Sequence, residues 1–202
     1  MARIPGQREK SGVGDGNEKD KDQGIALVVS QVRKMFSIIK SGYHLGMKLY
    51  LARHGKAVPQ DVDPDCPLSG NGEEEIKNLA SSLSQSGVQV SHVAHSGKTR
   101  ARQTAQILAG SIAPGAAVTA IKGLKPMDPV EPAAKMVAGF KEDTLLVGHL
   151  PFMEELLSLL VAGDKEAGVA QFTTGAVACL KLDDDGNFSM IWMTTPESLG
   201  LS

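Results

Sequence analysis

From Met47 onward, short apolar runs alternate with longer stretches of helical periodicity, and this alternation restricts the fold more than any other feature. Residues 48–52, 88–94, 117–121 and 143–147 read as strands. Between them, residues 73–86, 99–112 and 131–140 carry apolar side chains at helical spacing, with Ile76, Leu79, Ala80 and Leu83 on one face of the first. Glu73, Glu74 and Glu75 suit the positive end of that helix. Residues 151–161 form a further helix with proline in its first turn, where a missing N–H costs no intrahelical bond. Residues 176–182 and 188–193 flank Asp183-Asp184-Asp185-Gly186-Asn187, a hairpin signal. The pattern predicts an α/β domain with a largely parallel sheet and an antiparallel element near its end.

Bulk composition removes several function classes. The 202 residues carry a formal net charge of −2, so there is no electrostatic footprint for nucleic acid, and none is expected as a partner. No run approaches the roughly 18 apolar residues of a membrane span. The acidic stretch holding Glu9, Asp15, Glu18, Asp20 and Asp22 ahead of the first apolar segment is unlike a secretory signal. A cytoplasmic protein without a membrane partner is expected. Cys66 and Cys179 lie far apart in no metal-like spacing and read as small hydrophobes in a reducing compartment.

Residues 1–46 differ from the rest. The first 24 are rich in Gly, Lys and Asp without periodicity, which predicts disorder. Ile25, Val28, Val29, Val32, Met35, Phe36 and Ile39 then recur at helical spacing. They are either an amphipathic helix that docks on the body, a partner or a membrane surface, or part of an extension without catalytic consequence. The second reading is preferred because Met47 opens the first convincing strand. The expected division is an extension over 1–46 and one catalytic domain over 47–202.

Ligands of open α/β sheets bind beyond the carboxyl ends of the strands. Three segments place polar residues there: Arg53-His54-Gly55, His95-Ser96-Gly97-Lys98-Thr99-Arg100, and Gly148-His149-Leu150-Pro151. That many cations at one rim of a nearly neutral chain points to a phosphate site. The planar fork of arginine binds two phosphate oxygens at once. Neutral imidazole is a competent nucleophile on phosphorus, and a second histidine can donate to the non-bridging oxygens. Positioning and electrostatics dominate phosphoryl transfer, so no metal or other cofactor is expected. Glycine at position 55 suits a sharp turn and close approach to a ligand, and the helix starts after Ser96 and His149 offer backbone donors.

Arg100 and Arg102 compete for the pocket. Two positions apart on a helix, they point in different directions, and Arg100 is nearer the rim. His92 and His95, on or beside the second strand, are expected to be packed or satisfied locally. His44 belongs to the N-terminal extension.

Leu51-Ala52-Arg53-His54-Gly55, the segment Ser96…Arg100-Ala101-Arg102-Gln103-Thr104, and Val147-Gly148-His149-Leu150-Pro151 resemble the histidine phosphatase (phosphoglycerate mutase-like) superfamily. Gly-His-Leu-Pro, Phe172-Thr173-Thr174-Gly175-Ala176 and the ending Trp192-Met193…Pro196 are similar to SixA-type phosphohistidine phosphatases in particular. The resemblance runs from Met47 to about Leu199 and leaves residues 1–46 without a counterpart. It implies a three-layer α/β/α fold with one antiparallel strand in a mostly parallel sheet. It also implies that His54 is the catalytic nucleophile and that Arg53, Arg100 and His149 hold the phosphate. The implied substrate is a phosphorylated histidine on a signalling protein, typically a histidine-containing phosphotransfer domain, and a monomer is expected.

Larger members of the superfamily place an acidic general acid after the third strand. Here Lys125-Pro126-Met127-Asp128-Pro129-Val130-Glu131 occupies that region. Asp128 is the candidate acid, with Glu131 beside it; both also suit helix capping. A departing imidazole protonates near pH 6.5 and needs less help than an alkoxide, so a missing acid favours phosphohistidine over a phosphate ester. The short interval between Arg100 and His149 leaves little chain for a lid, which favours an open pocket and a phosphoryl group presented on a protein. The alternatives are a sugar-phosphate or nucleotide phosphatase of the same superfamily and a non-catalytic phosphohistidine-binding module.

Overall fold

The computed structural model describes residues 46–200. The apolar run from Ile25 to Ile39, the polar stretch before it and His44 lie outside the described residues. Six strands, β1 (Lys48–Arg53), β2 (His92–His95), β3 (Val118–Ala120), β4 (Thr144–Gly148), β5 (Val177–Leu182) and β6 (Phe188–Thr194), form one sheet in the order β3-β2-β4-β1-β5-β6. Four helices accompany them: α1 (Gly70–Gln85), α2 (Thr99–Ile112), α3 (Val130–Val137) and α4 (Phe152–Ala162). β1, β4, β2 and β3 pair in parallel, whereas β5 is antiparallel to both β1 and β6. β5 therefore opposes the other five strands, as expected of a mostly parallel sheet with one antiparallel strand.

The three layers follow from period-2 alternation along the strands. In β1, Leu49 and Leu51 face one core with Leu146, Phe152, Leu156 and Phe172, residues shared with α3 and α4. Tyr50 and Ala52 face the other with Ile76, Leu79, Leu108 and Val147, against α1 and α2. All five residues of β4 are buried, as a central parallel strand covered on both faces requires. The pairing of helices with faces follows the right-handed crossover rule. The chain runs outward from β1 through β2 to β3, with α1 and α2 on one face. It then returns to β4, which puts α3 on the other, and α4 packs on that same face beside α3.

Element boundaries depart from the periodic pattern where backbone groups find other partners. Val88 and Val90 are apolar but stand outside the sheet; Val90 N–H donates to the carbonyl of Ile112 at the end of α2 (2.8 Å), and β2 starts only at His92. α1 begins before its glutamates because the Ser69 hydroxyl accepts the N–H of Gly72 and caps the helix. α3 ends at Val137, where Gly139 and Phe140 donate to carbonyls three residues back and tighten the last turn. In the β5–β6 hairpin, one carboxylate oxygen of Asp183 accepts from the N–H groups of Asp185 and Asn187 at 2.9 and 2.8 Å.

Candidate active site

Strand order assembles the site. β4 lies between β1 and β2, so its carboxyl end delivers His149 between the segments that follow the other two strands. The ladder continues past the strand ends: His54 N–H donates to Gly148 O at 3.1 Å, and Ser96 N–H to Val147 O at 3.2 Å. A Cβ at position 148 would collide with the methyl of Met153 and come within 3.3 Å of the Leu124 carbonyl, so α4 starts close beneath the strand.

His54 is held at both ring nitrogens. A carbonyl can only accept, so the 2.7 Å contact to Gly55 O makes Nδ1 the protonated nitrogen. The lone pair is then on Nε2, where it accepts the Nε–H of Arg100 at 3.0 Å. Burial lowers the His54 pKa to about 4, reinforced by the Arg100 and Arg53 charges and opposed by the Gly55 carbonyl. The imidazole is therefore neutral at neutral pH, with its lone-pair nitrogen turned toward a guanidinium.

α2 braces this arrangement through Thr104, a fully buried polar residue. Its Oγ1 accepts the Gly55 N–H at 3.1 Å and donates to the carbonyl of Arg100 at 2.8 Å. A Cβ on Gly55 would meet Ile76 Cγ1 at 2.7 Å and Leu68 Cδ2 at 3.2 Å. The glycine thus answers the packing of Ile76 in α1 and of Leu68 just before it.

His149 is 1% exposed. Its Nε2 lies 2.6 Å from the Ser96 hydroxyl, and its ring centroid 4.9 Å from that of His54. Burial depresses its pKa to about 3, with smaller contributions from His54, Arg100, Lys98 and Arg53. Arg53 donates from Nη1 to the carbonyl of Phe172 at 2.7 Å, and burial lowers its pKa, with Glu154 acting in the opposite direction. Two buried atoms at this rim, Arg53 Nε and His149 Nδ1, have no protein partner. Such groups cost free energy when unpaired. An oxyanion would satisfy the Arg53 N–H directly, and His149 when the Ser96 hydroxyl donates to Nε2 and leaves the proton on Nδ1.

The remaining candidates make contacts of their own. Arg102 is exposed. His95 is buried and accepts the Gly97 N–H at Nδ1 (3.0 Å), the local satisfaction expected of it. His92 is instead exposed and meets Glu142 at 3.1 Å on the surface. The Asp128 carboxylate accepts the Lys125 N–H at 2.9 Å, closing its own turn, and Glu131 sits in the first turn of α3. At α4 the expected backbone donors are in part already taken: Met153 N–H goes to His149 O, and those of Glu154 and Glu155 to Pro151 O. α2 starts at Thr99 without a side-chain cap.

Sequence reasoning left Ser96, Thr104, Phe172 and Glu154 without roles. The first three lie inside the motifs quoted above, but their contacts are made across the fold and leave no spacing signal. An open-sided cleft of about 420 Å³ adjoins Arg100, lined by Lys98 and Thr99 on the α2 side and by Ala57, Gln60, Asp65 and Cys66 across it. Among the described residues, no group of three or more His, Cys, Asp and Glu side chains could hold a metal ion. No helix among them is long and apolar enough to cross a membrane.

Comparison with known proteins agrees with this geometry. Residues 49–130 match the model of the histidine phosphatase superfamily (branch 1). Phosphohistidine phosphatase SixA of Escherichia coli (strain K12) is 26% identical over 161 residues, covering 77% of this chain and 98% of that protein. The solved structure of the protein histidine phosphatase SixA complexed with tungstate superimposes with a TM-score of 0.69 at 26% identity, over 76% of this chain and 99% of the other. A phosphoserine phosphatase from Entamoeba histolytica, solved with 3-phosphoglyceric acid, shares the fold at 15% identity and a TM-score of 0.60, over 76% of this chain and 99% of its own. Sequence match and superposition thus cover the strands that carry the rim residues: the chain holds a histidine phosphatase superfamily domain, matched over residues 49–130, and its homology to SixA supports a phosphatase.

Proposed function

We propose that this chain is a metal-independent protein phosphohistidine phosphatase, and that its domain, residues 47–202, acts in the cytoplasm on a histidine-containing phosphotransfer domain of a signalling protein. The observation that carries the reading is the state of His54: neutral, tied at Nδ1 to Gly55 O, with the Nε2 lone pair directed at Arg100. Nε2 attacks phosphorus, and the P–N bond to the substrate imidazole breaks as that nitrogen takes up a proton from solvent. Arg100 redirects its Nε–H hydrogen bond from His54 to a phosphoryl oxygen, and Arg53 and His149 hold the other oxygens. Water then forms the new P–O bond and gives up a proton to solvent, the P–Nε2 bond breaks, and orthophosphate leaves. Protein cations supply the charge stabilisation that phosphoryl transfer needs.

Three features favour phosphohistidine over an ester. SixA, the relative described above, is a phosphohistidine phosphatase. The Asp128 carboxylate is engaged in its own turn, and imidazole leaves without a strong acid. The open cleft beside Arg100 leaves room for a protein surface around the phosphoryl group. The free thiols of Cys66 and Cys179 suit a reducing compartment.

The test is incubation with a phosphohistidine-labelled phosphotransfer protein and, in parallel, with p-nitrophenyl phosphate, using wild type and His54→Ala. Loss of label with wild type, abolished in the variant, is expected. Equal turnover by both proteins would overturn the role of His54, and turnover of the ester alone would make the chain a small-molecule phosphomonoesterase.

A further inference from the structure

We infer that Glu154 is a positioning residue for the phosphate-binding arginine, acting through the backbone of Phe172. The inference rests on the reading of Arg53 as a phosphate ligand and deepens it. Glu154 stands in the first turn of α4, five residues after His149. Its Oε1 accepts the N–H of Phe172 at 2.8 Å, while the carbonyl of the same residue accepts Nη1 of Arg53 at 2.7 Å. The Phe172 side chain is 2% exposed and packs in the core beside Phe152 and Leu156, so this residue has little freedom to move.

The consequence is geometric and electrostatic. Arg53 follows strand geometry on its backbone side, donating N–H to Ala176 O at 3.0 Å, but its fork is aimed by one carbonyl in the loop before β5. A loop carbonyl orients a guanidinium only if its residue is held. Glu154 holds Phe172 at its N–H, one peptide before the carbonyl that meets Arg53, and does so from the helix whose approach carries His149. The two side chains read as phosphate ligands from β1 and β4 are thereby tied to one rigid unit. The carboxylate also opposes the cost of burying the Arg53 charge, since it favours the charged guanidinium while burial disfavours it. Nε of Arg53, buried and without a protein partner, stays directed by this relay.

Charge and hydrogen bonding separate by substitution. Glu154→Gln keeps an acceptor oxygen and removes the charge; Glu154→Ala removes both. The readout is the dissociation constant of inorganic phosphate by titration calorimetry, which needs no turnover and stands whether or not phosphohistidine is the substrate. Glu154→Ala should weaken phosphate binding about tenfold, the effect of losing roughly one hydrogen bond to the relay, and Glu154→Gln should restore most of it. In an Arg53→Lys background, which lacks the planar fork, Glu154→Ala should add less than about twofold. Phosphate binding unchanged by Glu154→Ala, or an equal tenfold loss in the Arg53→Lys background, would overturn the relay. Unaltered binding in Arg53→Lys alone would instead refute the phosphate role of Arg53. Urea unfolding of each variant identifies a loss that comes only from unfolding, and that result too would overturn the relay.

Discussion

Lowering the pH perturbs His54 in a way that distinguishes a buried, positioned imidazole from an ordinary one. An unperturbed histidine titrates at 6.5, so at pH 5.5 only about a tenth remains neutral. With its pKa at about 4, His54 is still almost entirely neutral there. The same depression enters stability. The folded pKa lies below the unfolded one, so protons bind preferentially to the unfolded chain; neutral His54 contributes in full above pH 6.5, and the contribution is lost as pH falls toward 4. A depression of this size corresponds to about 3 kcal/mol, at about 1.4 kcal/mol per tenfold.

Two measurements follow. The Hε1 resonances of the five histidines, assigned with His54→Asn and His149→Ala, are titrated from pH 3 to 8. His54 should change only below about pH 5, with a midpoint near 4, and His149 near 3. Urea unfolding at pH 7 and 4.5 should show wild type losing about 2 to 3 kcal/mol more than His54→Asn. A His54 midpoint above 6, or equal pH dependence in the two proteins, would refute the claim that burial keeps this imidazole neutral.

Two further substitutions probe the supports of the pair. Ser96→Ala removes the hydroxyl 2.6 Å from His149 Nε2 and should lower kcat on a phosphohistidine substrate roughly ten- to hundredfold, with the fold retained by circular dichroism, because a donor preorganised for the phosphoryl oxygens is set free to rotate. Full activity would show that His149 is oriented by other means. Thr104→Val leaves the Gly55 N–H without its acceptor and should cost about 1–3 kcal/mol in urea unfolding, the penalty of an unsatisfied buried donor. A loss below about 0.5 kcal/mol would mean the amide finds another partner.

Much of the architecture was legible in the chain itself. Apolar runs and helical periodicity located the six strands and four α-helices of the described residues, and α2 falls on the residues its pattern marked. Boundaries slipped where a backbone donor found a tertiary partner, as at Val90, whose N–H leaves the ladder for Ile112 O. The polar residues at three strand ends marked Arg53, His54, Arg100 and His149, because a strand running into Arg-His-Gly or Gly-His is a local pattern. The surface pairing of His92 with Glu142 was not marked, since exposure belongs to the assembled sheet.

What the sequence determined by itself is therefore which side chains stand at strand ends and which chemistry they can perform. What only the tertiary structure decided is how they meet. Chain order places β4 after β3, yet the sheet inserts it between β1 and β2, and that insertion sets His149 beside His54 and against Ser96. The protonation state has the same origin: burial by distant segments drives both imidazoles neutral, and a carbonyl neighbour selects the nitrogen that keeps its lone pair. Local sequence carries residue identity and period; strand order and desolvation arise only when segments far apart in the chain exclude water from one another.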